Sequence, residues 1–415
     1  MATPIYQTFG ELDLTFIGSD MMSEAWWDKK SGGRYDGAFY NPNFDQLGSD
    51  YDDFYFLGSY GMSSYSTPTG PMLLVRDLAN PSNPALKLAD DFTLIWTDKG
   101  SGASQDGSFW LPTCNDSNYK ALGTVCVRDH SKPDPKTMRV VLVRKDLVDS
   151  GAIGAFVWDD EKTGADKDFG AWAIQIDSVY VDSSNILIAP GCFVGVASHT
   201  QPTSASNANV LKLPVPKMNN ENPFYPRLDS ANQPDQYTSA DVTDTVTVPF
   251  TAIKDRGMSI DQQIASSPFY TILREEVYEL AYFNVNATSS SHAVSVTEAT
   301  GVSTTDSDTF SANVGVSVTV EGGVNFLGSG GGASATVSAE LGYSTSTEIE
   351  EFRQVTITNE YTIGAMEAFA VWTKFDQITL LRMDGTAVAR SLSFRENSWA
   401  ESHYPLTEQT LAARR

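Results

Sequence analysis

Trp96-Thr97-Asp98-Lys99-Gly100-Ser101-Gly102-Ala103-Ser104-Gln105-Asp106-Gly107-Ser108-Phe109-Trp110 aligns without gaps on an earlier stretch, Trp26-Trp27-Asp28-Lys29-Lys30-Ser31-Gly32-Gly33-Arg34-Tyr35-Asp36-Gly37-Ala38-Phe39-Tyr40. A weaker third copy has Trp158, Asp160, Thr163, Gly164, Ala165, Asp168 and Trp172 in the places of Trp96, Asp98, Ser101, Gly102, Ala103, Asp106 and Trp110. Each copy is followed by a strand-like segment opening with Leu57-Gly58, Leu122-Gly123 or Pro190-Gly191. The repeats are 70 and 62 residues apart, longer than one solenoid or propeller unit. That spacing fits three small antiparallel sheets around a pseudo-threefold axis, a β-prism-like arrangement sharing one apolar core. The Trp heading each copy is expected to point into that core, and the Asp, Ser and Gly after it to form a tight loop with side chains capping backbone donors.

A second pattern lies further along. From Phe310 to Tyr343 apolar residues alternate with small polar ones on two arms joined by Ser329-Gly330-Gly331-Gly332, the period of two that marks strands. A four-residue turn places Val324 opposite Val337 and Val320 opposite Leu341, so one face is apolar throughout. The other face is Ser, Thr, Asn and Gly, charged between Thr309 and Thr347 only at Glu321 and Glu340. Solvated sheet faces and edges normally carry charges that blunt aggregation, whereas each arm here is long enough for a transmembrane β-strand, which needs about 9–11 residues. The expected membrane-inserting residues are Phe310, Val314, Val316, Val318, Val320, Val324, Phe326, Leu327, Val337 and Leu341, with Glu321 and Glu340 facing a pore lumen. The alternative is an ordinary half-buried hairpin of a soluble sheet.

The chain of 415 residues exceeds one comfortable core. Helical stripes are scarce while Gly, Ser, Thr, Val, Tyr and Trp are plentiful, so the expected class is mostly β. The boundaries read as a three-repeat β recognition domain over 1–200, a polar, Pro/Asn-rich connecting segment over 201–244, and a long-stranded β domain over 245–415 containing the hairpin 310–343. Within the last, Ser267 to Leu280 reads as a short helix or edge strand, and a closing strand pair is expected near 368–381 and 387–394.

A formal net charge of −24 argues against nucleic acid and against simple adsorption to anionic lipid. Contact with a target-cell membrane must then come from a cell-surface glycan or protein receptor, or from apolar insertion. The opening Met1-Ala2-Thr3-Pro4-Ile5-Tyr6 shows no signal peptide, and no apolar run reaches the length of a spanning helix. The expectation is a protein made soluble that acts extracellularly at target-cell membranes. Cys114, Cys126 and Cys192 are too few for a disulfide framework and are expected as mostly buried thiols, with a Cys114–Cys126 pair as the oxidised alternative.

Residues 91–145, and more loosely 25–200, resemble the vacuolar protein sorting-associated protein 62 family. The match rests on Trp96 through Ala103, Asp106-Gly107-Ser108-Phe109-Trp110-Leu111-Pro112, Tyr119-Lys120-Ala121-Leu122-Gly123 and the strand Met138 to Val148. Residues 245–415, with long Ser/Thr-rich strands flanking an amphipathic hairpin, resemble aerolysin-like β-pore-forming toxins. This second resemblance is architectural and has no single diagnostic motif. The pairing implies a variable recognition head on a pore-forming tail, oligomeric in the pore state.

Catalytic chemistry finds little support. His130, His199, His292 and His403 are scattered, and no Gly-x-Ser-x-Gly elbow, phosphate loop or His-Glu-x-x-His is present. A calcium reading of Asp28, Ser31 and Asp36, or of Asp98, Ser101 and Asp106, is weakened by the lysines in the loops and by the lack of a following bidentate Glu. No enzyme, metal or cofactor is expected. The same loops are instead candidates for receptor or glycan contact, with Asp36, Tyr40, Asp106, Trp110, Asp168 and Trp172 as the named residues. The leading reading is a soluble β-pore-forming toxin, insecticidal or defensive, and the alternative is a lectin-like binding protein that never inserts.

Overall fold

The computed structural model describes residues 3–176, 181–182, 184–220, 224–300, 304–318, 324–326, 336–337 and 355–407, and the chain is mostly β. It divides into two compact units, one of residues 1–216, 248–270 and 326–338, the other of 217–247, 271–325 and 339–415.

In the first unit each sequence repeat builds one three-stranded antiparallel sheet. The sheets are Met22–Trp27 with Ala38–Pro42 and Tyr60–Met62, Asp91–Thr97 with Ser108–Thr113 and Val125–Val127, and Ala152–Asp159 with Gly170–Gln175 and Phe193–Val196. All three carry a β-bulge at the same place, skipping Ala25, Ile95 and Val157. A bulge resets the alternation of faces. The residue after it turns inward as Trp26, Trp96 or Trp158, each fully buried, while Leu94 and Phe156 just before it are exposed.

The three indoles meet with ring centroids 5.3–5.7 Å apart, and Phe39, Phe109, Phe169 and Phe193 complete the cluster. Further along the same sheets the repeats converge on Gly58, Gly123 and Cys192. Ser59 N–H donates to the Thr124 carbonyl and Thr124 N–H to the Phe193 carbonyl, both at 2.9 Å. A Cβ built on Gly123 would stand 2.5 Å from Cys192 Sγ, so two glycines make room for one buried thiol. Cys114, Cys126 and Cys192 are all free.

Three further sheets cover these: Tyr6–Phe9, Leu12–Ile17, Met72–Asp77 and Tyr55–Phe56; Leu86–Leu88, Val141–Arg144 and Tyr119–Lys120; Val148–Ser150, Asn209–Pro214 and Asn185–Ile188. The chain crosses between the compact units at Thr247/Val248, close to the expected boundary near residue 245, but there it returns to the first unit. Residues 248–270 belong to the first unit, where Phe250 meets Phe16 edge-on at 5.0 Å and Phe269 lies 6.0 Å from Phe9.

The second unit rests on long strands. Phe269–Asn286 pairs with Glu367–Leu381, which pairs in turn with Leu392–Pro405, and His292–Thr300 pairs with Val355–Ile363. Ser267 to Leu280, expected as a short helix or edge strand, lies mostly in the strand Phe269–Asn286, which has a neighbour on each side and so is not at an edge; the helix Ile260–Ser266 before it, closed at its start by a Ser259/Gln262 capping box, belongs to the first unit. A buried charged group crosses the long strands: Arg274 donates to Asp376 at 3.0 Å and approaches Asp244 and Glu276, which also holds Lys374. Burial raises the Asp244 carboxyl above the usual range.

The largest departure from the sequence reading is at the start of the expected hairpin. Thr304–Val314 is an α-helix, so Phe310 and Val314 are helical. A strand would align Phe310, Ala312 and Val314 on one face. In the helix Phe310 and Val314, one turn apart, are buried while Ala312 is exposed. Gly315, at φ 69°, ends the helix with its N–H donating to the Ser311 carbonyl, the left-handed cap that glycine adopts without strain. After it, Val316–Val318 and Val324–Phe326 are separate strands adjacent in one sheet rather than one continuous arm. Thr336–Val337 pairs parallel with Val181–Asp182. Val320, Glu321, Leu327, Glu340 and Leu341 lie outside the described residues.

Candidate functional site

The three loops that follow the tryptophans are tied to one another in a ring. Trp26 Nε1 donates to the Gln105 carbonyl at 2.9 Å, Trp96 Nε1 to the Lys167 carbonyl at 2.7 Å, and Trp158 Nε1 to the Tyr35 carbonyl at 3.0 Å. A second ring runs the other way, from Arg34 N–H to the Glu161 carbonyl, Ser104 N–H to Lys29 and Asp166 N–H to Lys99. Tyr35, Gln105 and Lys167 are equivalent positions of the repeat, so each loop rests on its neighbour. The head is one surface made of three equivalent parts.

Each loop is held from inside by its first Asp. Asp28, Asp98 and Asp160 are buried, and each accepts a backbone N–H nine residues on, from Gly37, Gly107 and Phe169, at 2.7–3.0 Å. Ser31, Ser101 and Thr163 accept the N–H two residues later, and Gly32, Gly102 and Gly164 turn the chain at φ 72–78°. The capping role expected of Asp and Ser is therefore observed.

The same Asp receives a third partner at an equivalent place in each copy: Tyr65 at 2.6 Å on Asp28, His130 on Asp98, and His199 at 2.6 Å on Asp160. Burial and the hydrogen bond to Asp28 push the Tyr65 phenol well up, so it stays a neutral donor. For His199, burial favours the neutral ring, but the hydrogen bond to Asp160 and the nearby Asp160, Asp168 and Asp159 charges outweigh it and raise the pKa above 6.5. A raised folded-state pKa contributes stability fully present below the unfolded value and lost as pH rises through the folded one. His199→Gln is thus expected to lower the melting temperature more at pH 5.5 than at pH 8.5. Melting curves of both proteins across that window check this, and a gap that widens toward alkaline pH would contradict it.

Asp98, Asp106 and His130 bring three possible ligand atoms within 4.8 Å of one another, while in the third copy His199 pairs with Asp160 at 2.6 Å and lies 3.9 Å from Asp168. Asp98 Oδ1 already accepts from Gly107 and pairs with His130. The hydrogen bonds account for the cluster.

Asp36, Asp106 and Asp168 are exposed on the loops. Tyr40, Trp110 and Trp172 are not: all three are less than 10 % exposed, and Trp110 Nε1 donates to Ser108 Oγ at 2.7 Å. Their rings pack in apolar clusters and offer no face to a sugar, which corrects the aromatic half of the glycan expectation. Two exposed aromatics of the repeats, Tyr35 and Phe156, lie 5.1 Å apart, with Arg34 over Tyr35 and bonded to Glu161 at 2.9 Å. Phe156 faces outward because of the bulge before Trp158, a feature invisible without the strand's partner.

Residues 6–230 match the family model of vacuolar protein sorting-associated protein 62. The chain belongs to this family. Residues 242–395 match the family model of the insecticidal crystal toxin P42. No curated protein matches the chain. Among solved structures, GNIP1Aa from Chromobacterium piscinae is 24 % identical with a TM-score of 0.39, covering 48 % of this chain and 37 % of its own. The chain thus spans little more than a third of GNIP1Aa. Cry35Ab1 is 14 % identical, TM-score 0.39, covering 98 % and 93 %. The oligomeric pore-forming toxin pro-Monalysin is 10 % identical, TM-score 0.19, covering 35 % and 68 %. Among the described residues no helix is long and apolar enough to cross a membrane, which leaves spanning by strands open.

Proposed function

We propose that this protein is a β-pore-forming toxin, insecticidal or defensive, whose N-terminal head binds a cell-surface glycan or protein and whose C-terminal half assembles with further copies into a membrane-spanning barrel. The match of residues 242–395 to the insecticidal crystal toxin family carries the toxin reading. The pore-forming part rests on the alternation of apolar and small neutral residues over 310–343, since a closed barrel lets many strands satisfy their backbone groups in lipid. Recognition is assigned to the loop surface bearing Asp36, Asp106 and Asp168 together with Tyr35 and Phe156. Carboxylates accept sugar hydroxyls or donors of a protein receptor, and exposed rings supply stacking area. The apolar alternation would face lipid, placing Glu321 and Glu340 on the lumen side, where rings of carboxylates favour cations.

The test is dye release from liposomes made with target-cell lipids, followed by reversal potentials in planar bilayers under a salt gradient. Release of dye and cation-selective steps are expected, with Glu321→Gln/Glu340→Gln losing the selectivity but not the steps. Cell binding without leakage or loss of barrier would favour the non-inserting lectin-like alternative.

A further inference from the structure

We propose that residues 224–240 form a displaceable cover over the face on which a second copy of this chain docks against the long-stranded sheet. The inference rests on the assembly of copies proposed above and adds the surface they use and what controls it. One face of the strands Phe269–Asn286, Glu367–Leu381 and Leu392–Pro405 packs, through Phe369 and Val371, against Val296 and Ile363 of the neighbouring strand pair. On the opposite face Tyr278, Leu280, Ala368, Ala370, Trp372 and Ala400 are buried. The segment lying over them is irregular. It packs Leu228 and Ala231 against that face, and Leu228 N–H donates to Ser402 Oγ at 3.0 Å.

Two observations make the segment a cover rather than part of the core. Its ends are clasped side by side, Lys217–Asn219 pairing with residues 244–246 and Asn220 N–H donating to the Thr243 carbonyl at 2.7 Å, so it can swing away with the clasp intact. It also brings little apolar bulk. Phe224 and Tyr225 reach the Tyr278 ring at 6.4 and 6.5 Å yet stay 47 % and 57 % exposed, whereas Tyr278 and Trp372 beneath are 4 % and 2 % exposed. Uncovered, that face would be an apolar patch of the kind that marks an interaction site. Charge picks the occupant. Each copy carries −24, and copies meeting through charged surfaces would repel. Along these strands Glu279, Glu401 and His403 alternate onto the face away from the cover, and Lys374, opposite Tyr278, is paired with Glu276 at 2.6 Å. Two copies can therefore touch here without juxtaposing like charges.

The experiment uses the full chain. In Leu228→Cys/Ser402→Cys a disulfide bonds the cover to the sheet. Oxidised, this variant is expected to bind target-cell membranes while its yield of oligomer, read by chemical cross-linking, falls at least tenfold, and reductant is expected to restore the wild-type yield. A second variant, with residues 221–240 replaced by Asn-Gly, keeps the clasp and lacks the cover. Light scattering after gel filtration should show it as a discrete oligomer at concentrations where the wild-type chain is monomeric, and adding Trp372→Glu should return it to a monomer. A wild-type yield of oligomer from the oxidised variant, its new thiols consumed, overturns the proposal and leaves assembly standing. So does a cover-less variant that is folded and monomeric, or one whose association survives Trp372→Glu. Discrete oligomers of the cover-less variant in solution, with none formed by the wild-type chain on membranes, would instead overturn the assembly reading and leave the cover in place.

Discussion

Replacing Trp96 with alanine is expected to destabilise the N-terminal unit by about 3–5 kcal/mol, the usual cost of deleting a buried aromatic, with a further part from the polar atoms it leaves behind. Trp96 is fully buried and touches both other tryptophans and Phe109 and Phe169. Its Nε1 donates to the Lys167 carbonyl at 2.7 Å and also lies 3.0 Å from Asp160 Oδ2. Alanine removes the donor and opens a cavity at the meeting point of three sheets. Trp96→Phe separates the two effects: most of the ring remains while the hydrogen bonds go, so about 1–3 kcal/mol is expected for it. Urea unfolding of the intact chain, followed by near-ultraviolet dichroism, should show the transition of this unit moved and the other in place. A loss below about 1 kcal/mol for alanine would mean that the tryptophan cluster does not hold the repeats together.

The repeats were legible because their positions are set by local needs that any copy must meet: an inward indole, a capping Asp, a glycine at positive φ. Where a need can be met in two ways the sequence blurs. In the first two copies Gly37 and Gly107 lie against the indoles of Trp158 and Trp26, where a Cβ would come within 2.4 and 2.2 Å, and Phe39 and Phe109 fill the centre. In the third copy Phe169 occupies the glycine position and Ala171 the phenylalanine position, with Phe169 stacked on Phe109 at 4.3 Å. The ring has moved two residues along the strand. The volume is kept, as close packing demands, but the motif match is weakened.

Burial of Tyr40, Trp110 and Trp172 was hidden for a related reason. A repeated aromatic can mark a platform or a core, and only the pairing of strands distinguishes them. The helix Thr304–Val314 was misread because Phe310, Ala312 and Val314 satisfy a period of two while Phe310 and Val314 alone satisfy a helical turn. Ser and Thr are weak helix formers, so packing of those two side chains and the Gly315 cap decide the outcome.

That helix sets up the prediction with the largest effect on activity. If residues from Phe310 onward enter a barrel, the helix Thr304–Val314 must open, because Phe310 and Val314 cannot be buried on a helical face and also alternate toward lipid in a strand. Burying them is worth about 1.5–3 kcal/mol each, a modest barrier that a bilayer offering the same apolar contact would offset. Thr309, Phe310 and Asn313 line a small cleft with Arg390, Ser391, Leu392 and Ser393, so the helix lies beside the start of the strand Leu392–Pro405. Cysteines at Asn313 and Ser393 provide a tether there.

With the tether oxidised, cell binding is expected to persist while dye release falls to background, and reductant is expected to restore release to the wild-type rate. Thiol counting verifies the bond against the three native cysteines, of which Cys126 and Cys192 are buried. Each single cysteine variant should leak in both redox states, which separates the tether from the substitutions. If the oxidised protein, its new thiols consumed, still releases dye at the wild-type rate, the helix stays closed during permeabilisation. The inserted strands must then begin after Gly315, with Phe310 and Val314 remaining in the protein rather than the membrane.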